Sequence, residues 1–315
     1  MRAISKVVLC VAAASGVFAL SARAVGAQEY RTRVVASGLT RPVGIAVKGS
    51  GTIYFTLVPT PGVAGGANSV NRLSLGSGRV TVLHRGEPEP TNIAVGEDGA
   101  LYWTCKSAGV ILRQTEDGTT TRLLVGLRHP SGIGLDRLDN VYFTEVPSPG
   151  VPGSAGGMNA VKLFDGVNTL VLHEGDPEPT DVVVDKEGTA YWTCKSAGVI
   201  LRRTVAGRVS VLLRGLSQPV GIALDHRDEV LYFTEVPTPG VPASRGGRNQ
   251  VSAFNLATGE RRVVDFGDPE PTDVAVARNG KVYWTCTSAG VIVEASPVRG
   301  RRLSGPSGRS GDRGR

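Results

Sequence analysis

The sequence predicts an all-β protein, a closed ring of six blades that are each a four-stranded antiparallel sheet. Three observations carry this. First, the 315 residues hold 42 glycines and 19 prolines against two methionines, the composition of a turn-rich β chain. Second, a phrase of the form Pro-x-x-Ile/Val-x-Val/Leu, a turn, then Tyr-Phe/Trp-Thr occurs six times, beginning at Pro42, Pro90, Pro130, Pro179, Pro219 and Pro271. Long and short spacings alternate, so the true period is a pair of units, about 90 residues long, repeated three times. Third, Trp103 to Arg113 recurs unchanged at Trp192 to Arg202, which marks duplication. Forty-odd-residue repeats of four strands are the signature of β-propeller blades.

In chain order, residues 1–27 read as an export signal. Arg2 and Lys6 precede the apolar run Val7 to Leu20, and the small-residue sites Ala22-Arg23-Ala24 and Val25-Gly26-Ala27 follow. That run is short for a membrane span. The mature chain is expected to start near Val25 or Gln28 and to be secreted or periplasmic. The propeller is expected over 28–296. In each unit the first strand is apolar, as in Ile45-Ala46-Val47 or Val182-Val183-Val184, and a Gly/Asp/Asn turn such as Glu97-Asp98-Gly99 follows. The second strand is Ile53 to Thr56 or Ala190 to Thr193, aromatic and β-branched. The third is Gly109 to Leu112 in even units and Val161 to Phe164 in an odd one; the fourth is Arg79 to Leu83 or Val209 to Leu213. Unit six stops at its third strand, Val291 to Val293. The missing strand is Tyr30 to Val35, so the N-terminal strand closes the last blade and no edge is left open. Residues 297–315 are Gly, Ser, Pro and Arg and are expected to be a disordered tail.

Charge excludes one class of partner. The net charge is +7, but residues 1–27 carry +3 and the tail carries +5, which leaves −1 on the ring. A basic groove for specific nucleic-acid binding is not supported. The tail is either a passive solubilising end or an attachment to anionic surfaces. A monomer with no transmembrane span is expected.

The phrases Pro130-Ser131-Gly132-Ile133 with Val141-Tyr142-Phe143-Thr144, and Val282-Tyr283-Trp284-Thr285, resemble the NHL, YWTD and gluconolactonase-like group of six-bladed propellers. The Tyr-Phe-Thr-Glu strands ending at Glu145 and Glu235 are similar to virginiamycin B lyase repeats. The resemblance spans residues 30 to 295 and implies the fold; such propellers serve as hydrolases, lyases, receptors and scaffolds. The lyase resemblance implies a His just after the first-strand proline, paired with that Glu, but Ser131 and Val220 stand there. The gluconolactonase resemblance implies metal ligands near the first strands, where this chain has Val43, Thr91, Ser131, Thr180, Val220 and Thr272. The sequence therefore leans away from catalysis.

Antiparallel blades put the start of the first strand and the end of the second on one face. There the even units carry acidic, proline-clamped linkers: Glu87 to Asn92, Asp176 to Asp181 and Asp268 to Asp273. The odd units carry long Pro/Gly loops, 58–67, 146–157 and 236–247, two of which follow Glu145 and Glu235. Loops gathered on one end of a rigid scaffold are where function concentrates. The candidate ligand-binding residues are thus Glu89, Asn92, Glu178, Asp181, Glu270, Asp273, Glu145 and Glu235. Ca2+ or Mg2+ suits the acidic linkers, with Glu89, Glu178 and Glu270 as metal candidates on a common rim. The competing reading makes the linkers stiff turns whose Asn92, Asp181 and Asp273 bond local backbone.

The function this supports is an exported binding module that takes a protein, peptide or carbohydrate on that face. The alternative is a metal-assisted hydrolase or lyase on the same face. His84, His129, His173 and His226 are expected in solvated or packed roles. Cys105, Cys194 and Cys286 lie at equivalent positions of alternate blades, too far apart for disulfides, and are expected free and buried.

Overall fold

The computed structural model describes residues 30–61, 67–86, 88–147, 158–225, 227, 229–237 and 249–298. The export signal, the basic tail, most of the three long loops, Glu87 and His226 lie outside the described residues. All described strands form six four-stranded antiparallel sheets. β1 (Tyr30–Ala36) comes first in the chain and joins the last blade. Blade 1 is β2 (Pro42–Lys48), β3 (Thr52–Leu57), β4 (Ser69–Ser74) and β5 (Val80–Arg85). Blade 2 is β6 (Pro90–Val95), β7 (Leu101–Cys105), β8 (Val110–Gln114) and β9 (Thr120–Leu124). Blade 3 is β10 (Pro130–Leu135), β11 (Val141–Glu145), β12 (Ala160–Phe164) and β13 (Thr169–Glu174). Blade 4 is β14 (Pro179–Val184), β15 (Ala190–Cys194), β16 (Val199–Arg203) and β17 (Val209–Leu213). Blade 5 is β18 (Pro219–Asp225), β19 (Val230–Glu235), β20 (Gln250–Asn255) and β21 (Arg261–Phe266). Blade 6 is β22 (Pro271–Val276), β23 (Val282–Cys286) and β24 (Val291–Pro297), completed on its outer edge by β1.

The strand–turn pattern read from the sequence is present in every blade, but the first strands start earlier than the apolar runs suggest, at the proline itself. The register of the first strand against the second slips just after that proline, for example between Pro179 and Val182. The bulge turns the intervening residues toward the ring axis, as bulges re-aim side chains.

The core lies between blades, and its chemistry alternates. Where an odd blade meets the following even one, a fully buried Trp (103, 192 or 284) packs beside a Cys (105, 194 or 286) and the tyrosine of the odd blade. Where an even blade meets the following odd one, Phe143, Phe233 or Phe55 fills the interface against the even blade's tyrosine. Consecutive residues of a strand face opposite sides, so Tyr-Trp on even strands and Tyr-Phe on odd ones produce two kinds of interface. This alternation is the physical content of the two-blade period.

The threonine after each aromatic pair is wholly buried and joins blades. The Thr193 hydroxyl accepts the Asp181 N–H of its own blade at 3.2 Å and donates to the Val220 carbonyl of the next at 2.7 Å. Thr104 and Thr285 do the same with Asn92 and Ser131, and with Asp273 and Val43. Each hydroxyl satisfies backbone groups that the bulge frees from the ladder.

Candidate functional site

The face predicted to carry function is built from six repeated turns. In each blade the residue before the first-strand proline has positive φ: Arg41, Glu89, His129, Glu178, Gln218 and Glu270, between 48° and 55°. Its carbonyl accepts an N–H from just past the second strand, at 3.0 to 3.2 Å: Val58, Lys106, Val146, Lys195, Val236 and Thr287 respectively. The turn thus ties the start of one strand to the end of its neighbour.

The three glutamates are held inside their own blades. Glu89, Glu178 and Glu270 accept hydrogen bonds from the hydroxyls of Ser107, Ser196 and Ser288, and Glu178 also pairs with Lys195 at 3.7 Å. They do not assemble into a donor set for Ca2+ or Mg2+: among the described residues no three His, Cys, Asp or Glu side chains are placed to hold a metal ion. Arg41, His129 and Gln218, from the odd blades, are exposed.

What meets at the axis lies three residues further on, in the bulges. Asn92, Asp181 and Asp273 converge from blades 2, 4 and 6, at 9%, 4% and 5% exposure. Asn92 Nδ2 donates to Asp181 Oδ1 at 2.8 Å, and the two aspartates are hydrogen-bonded to each other. Each aspartate also takes two backbone N–H groups, one from its own strand and one from the next blade. Asp181 accepts Val182 at 2.8 Å and Ile222 at 2.9 Å; Asp273 accepts Val274 and Ile45, both at 2.8 Å. Burial, then the neighbouring carboxyl, pushes Asp181 well above the usual carboxylate range, and burial raises Asp273 to about 7.

The odd blades make room. A Cβ on Gly132 would lie 2.4 Å from the Asp181 Cα, and one on Gly221 would lie 2.6 Å from the Asp273 Cα. The polar triangle therefore needs glycine in alternate blades. It lines a narrow channel of about 180 Å³ whose walls are otherwise aliphatic.

Glu145 and Glu235, which end the second strands of blades 3 and 5, are buried in ion pairs rather than presented to a substrate. Glu145 accepts the Arg128 N–H at 3.1 Å and pairs with Lys162 at 2.6 Å. Glu235 accepts the Ser217 N–H at 2.9 Å and Gln250 Nε2 at 2.8 Å, and pairs with Arg261. His84 and His173 stack at tilted angles on Trp103 and Trp192, with ring centroids 5.4 and 5.8 Å apart. The Asp176 carboxylate lies between His173 and the indole N–H of Trp192, which donates at 2.7 Å, while Trp284 donates to Asp268 at the same distance. Cys105, Cys194 and Cys286 are free and buried. Burial, reinforced by Asp176 and Asp268, pushes the thiols of Cys194 and Cys286 far up, so they are not nucleophiles.

Two features escaped the sequence reading. Asn68, Asn159 and Asn249 are wholly buried at the ends of the long loops, and their carbonyls accept the N–H groups of Gly86, Gly175 and Gly267. Their recurrence at one place in all three odd units was the available signal. On the opposite face, where the sequence shows only tight turns, the channel widens into a cavity of about 450 Å³. Carboxylates of Glu97, Asp136, Asp139 and Asp225 line it with Arg137 and Arg227, and burial raises Asp139.

No protein-family model matches the chain. A protein of Pyricularia oryzae named low-density lipoprotein receptor-related protein 1 is 29% identical over 75% of this chain and 86% of its own. Among solved structures, a streptogramin B lyase superposes with TM-score 0.58 at 16% identity, covering 85% of this chain and 98% of the lyase. A gluconolactonase of Xanthomonas campestris gives 0.67 at 15%, covering 85% and 90%. The chain in a nidogen/laminin complex gives 0.57 at 22%, covering 72% and 80%. These likenesses show the six-bladed propeller fold.

Proposed function

We propose that the protein is an exported binding module that takes a protein or peptide partner on the face where the innermost strands begin. One observation carries this reading: the ring of six non-glycine residues at positive φ around that mouth. Each such residue costs on the order of 1–3 kcal/mol, and the position before a proline is restricted as well. Glycine would remove most of that cost, so side chains kept at all six positions favour a role for what they present. Even blades present carboxylates steadied by serine; odd blades present Arg41, His129 and Gln218 free on the surface. The long odd-blade loops leave the same face. The receptor-type name of the fungal relative and the nidogen/laminin complex support a protein partner. Glu145 and Glu235, committed to buried ion pairs, speak against a lyase- or hydrolase-type centre at those positions.

Site-specific photocrosslinking tests this. A photoreactive residue replacing His129 or Gln218 in the exported protein is expected to capture a protein partner at the surface of the producing cells. The same residue at Arg137 or Arg227, on the opposite mouth, is expected to capture nothing. Capture only from Arg137 and Arg227, or from neither face, sinks the reading.

A further inference from the structure

The carboxyl pair on the axis has a property that the binding reading does not use. Two ionised carboxylates are both acceptors, so the hydrogen bond between Asp181 and Asp273 needs one proton. Among the described residues neither side chain has a counter-ion. The odd innermost strands β2, β10 and β18 bring Gly44, Gly132, Gly221 and aliphatic side chains to the axis; β6 brings Asn92, a neutral amide; β14 and β22 bring the two aspartates themselves. The other charges of the channel ring its far mouth: Glu97, Asp136, Asp139, Asp185 and Asp225 with Arg137, Arg227 and Arg278. On the near face Glu89, Glu178 and Glu270 are turned to their serines.

We propose that Asp181 and Asp273 form a proton-operated lock on the propeller axis, in which one shared proton joins blades 2, 4 and 6 as Asn92–Asp181–Asp273 and its loss loosens the ring. The lock reaches five of the six blades, because Asp181 also holds the Ile222 N–H of blade 5 and Asp273 the Ile45 N–H of blade 1. Losing the proton sets two anions side by side with only backbone dipoles and the Asn92 amide to steady them, an arrangement in which like charges cannot both ionise cheaply.

The direction of the pH effect follows from linkage. In the folded ring burial raises Asp273 to about 7, and burial with the neighbouring carboxyl holds Asp181 well above the usual carboxylate range, against about 3.9 for an aspartate in the unfolded chain. Between those values the native state binds the extra proton. The lock contributes fully below about pH 4 and loses its contribution as pH rises through the raised values of the pair, beginning with Asp273 near 7. The chain carries its own control for the chemistry, since Asn92 sits at the equivalent position of blade 2 and fits there as an amide.

The experiment uses the mature chain in EDTA, with Asp265→Asn as background. This substitution silences a second, half-buried pair, Asp265 with Asp268, where burial raises Asp265 to about 7 and would add to the same window. Denaturant unfolding is followed from pH 5 to 8. The folded-to-unfolded ratio is expected to fall at least about tenfold over that range. Adding Asp273→Asn is expected to remove the fall, because the new amide donates permanently. A second readout needs no further variant: the infrared stretch of a buried protonated carboxyl should be present at pH 5.5 and weaken as the pH rises through 7. A ratio independent of pH, an unaltered slope in Asp273→Asn, or no protonated-carboxyl band at pH 5.5 overturns the lock.

Discussion

Each second-strand threonine occupies a place that no other residue type fills as well. At Thr193 one hydroxyl accepts from the bulged Asp181 N–H and donates across the blade boundary to Val220, with no exposure to water. Valine has the same shape and neither function. Thr193→Val leaves the buried Asp181 N–H without a partner and takes from the Val220 carbonyl the shorter of its two hydroxyl donors, the other being Thr180 at 3.1 Å, so a loss of about 1–3 kcal/mol is expected. Thr121→Val on an exposed strand is expected to stay within about 0.5 kcal/mol. Denaturant unfolding of both variants compares them directly; equal effects would show that the cross-blade bond carries no weight. The threonine is plain in the sequence because it recurs six times. The axial aspartates are plain only as linker residues. Their meeting spans 89 positions from Asn92 to Asp181 and depends on a bulge, and strand periodicity reads straight through a bulge as if the side-chain phase were unbroken. The glutamates beside them are plain by their chemistry, but the hydrogen bond that each accepts from a serine of the same blade depends on an αL turn that composition does not reveal.

Among elements, β1 is the one whose role its position in the chain conceals. It pairs along its whole length with β24, from Tyr30 opposite Pro297 to Ala36 opposite Ile292. Arg33 grips Glu294 with two bonds of 3.0 Å, and Lys281 and Tyr283 hold the same carboxylate. Burial alone would raise Glu294, but these partners bring it down to about 2. Its contribution is present above about pH 4 and fades as pH falls toward 2, the reverse of the axial pair. Removing Gln28 to Ser37 leaves β24 as an open edge and uncovers the apolar face that Val35 and Ala36 cover in the blade 6–blade 1 interface. Aggregation or a large drop in melting temperature is expected, and an unchanged melt would mean that the ring closes by other contacts. This closure was legible beforehand from counting alone, since six first strands were matched by five fourth strands and one stray at the N-terminus. Strand ends were less legible: β24 runs to Pro297, past Val293 where the apolar run suggests its end, because β1 supplies it with a partner.

For the whole molecule, the buried cysteines report on cooperativity. Cys105, Cys194 and Cys286 lie in three separate interfaces, each fully covered by its Trp and the neighbouring blade. If the ring opens only as a unit, the native mature protein is expected to react with a thiol reagent at one slow common rate, and to give three equivalents at once in denaturant. Three distinct rates would mean that blades open singly. Fewer than three thiols without reductant would mean a disulfide.

The alternation of tryptophan and phenylalanine interfaces sets a parity rule on the lineage of this chain. An even blade offers its tryptophan to the blade before it, and an odd blade offers its phenylalanine to its own predecessor. Glycine in one blade answers the carboxyl of the next in the same order. Deleting or inserting a single blade would bring two like faces together, Trp onto a surface shaped for Phe and a carboxyl onto a residue with no gap for it. Only a pair can be gained or lost without a mismatch somewhere in the circle. Rings of this sequence type are therefore confined to even numbers, and the heritable unit is a dyad of blades, whichever blade the chain happens to start in.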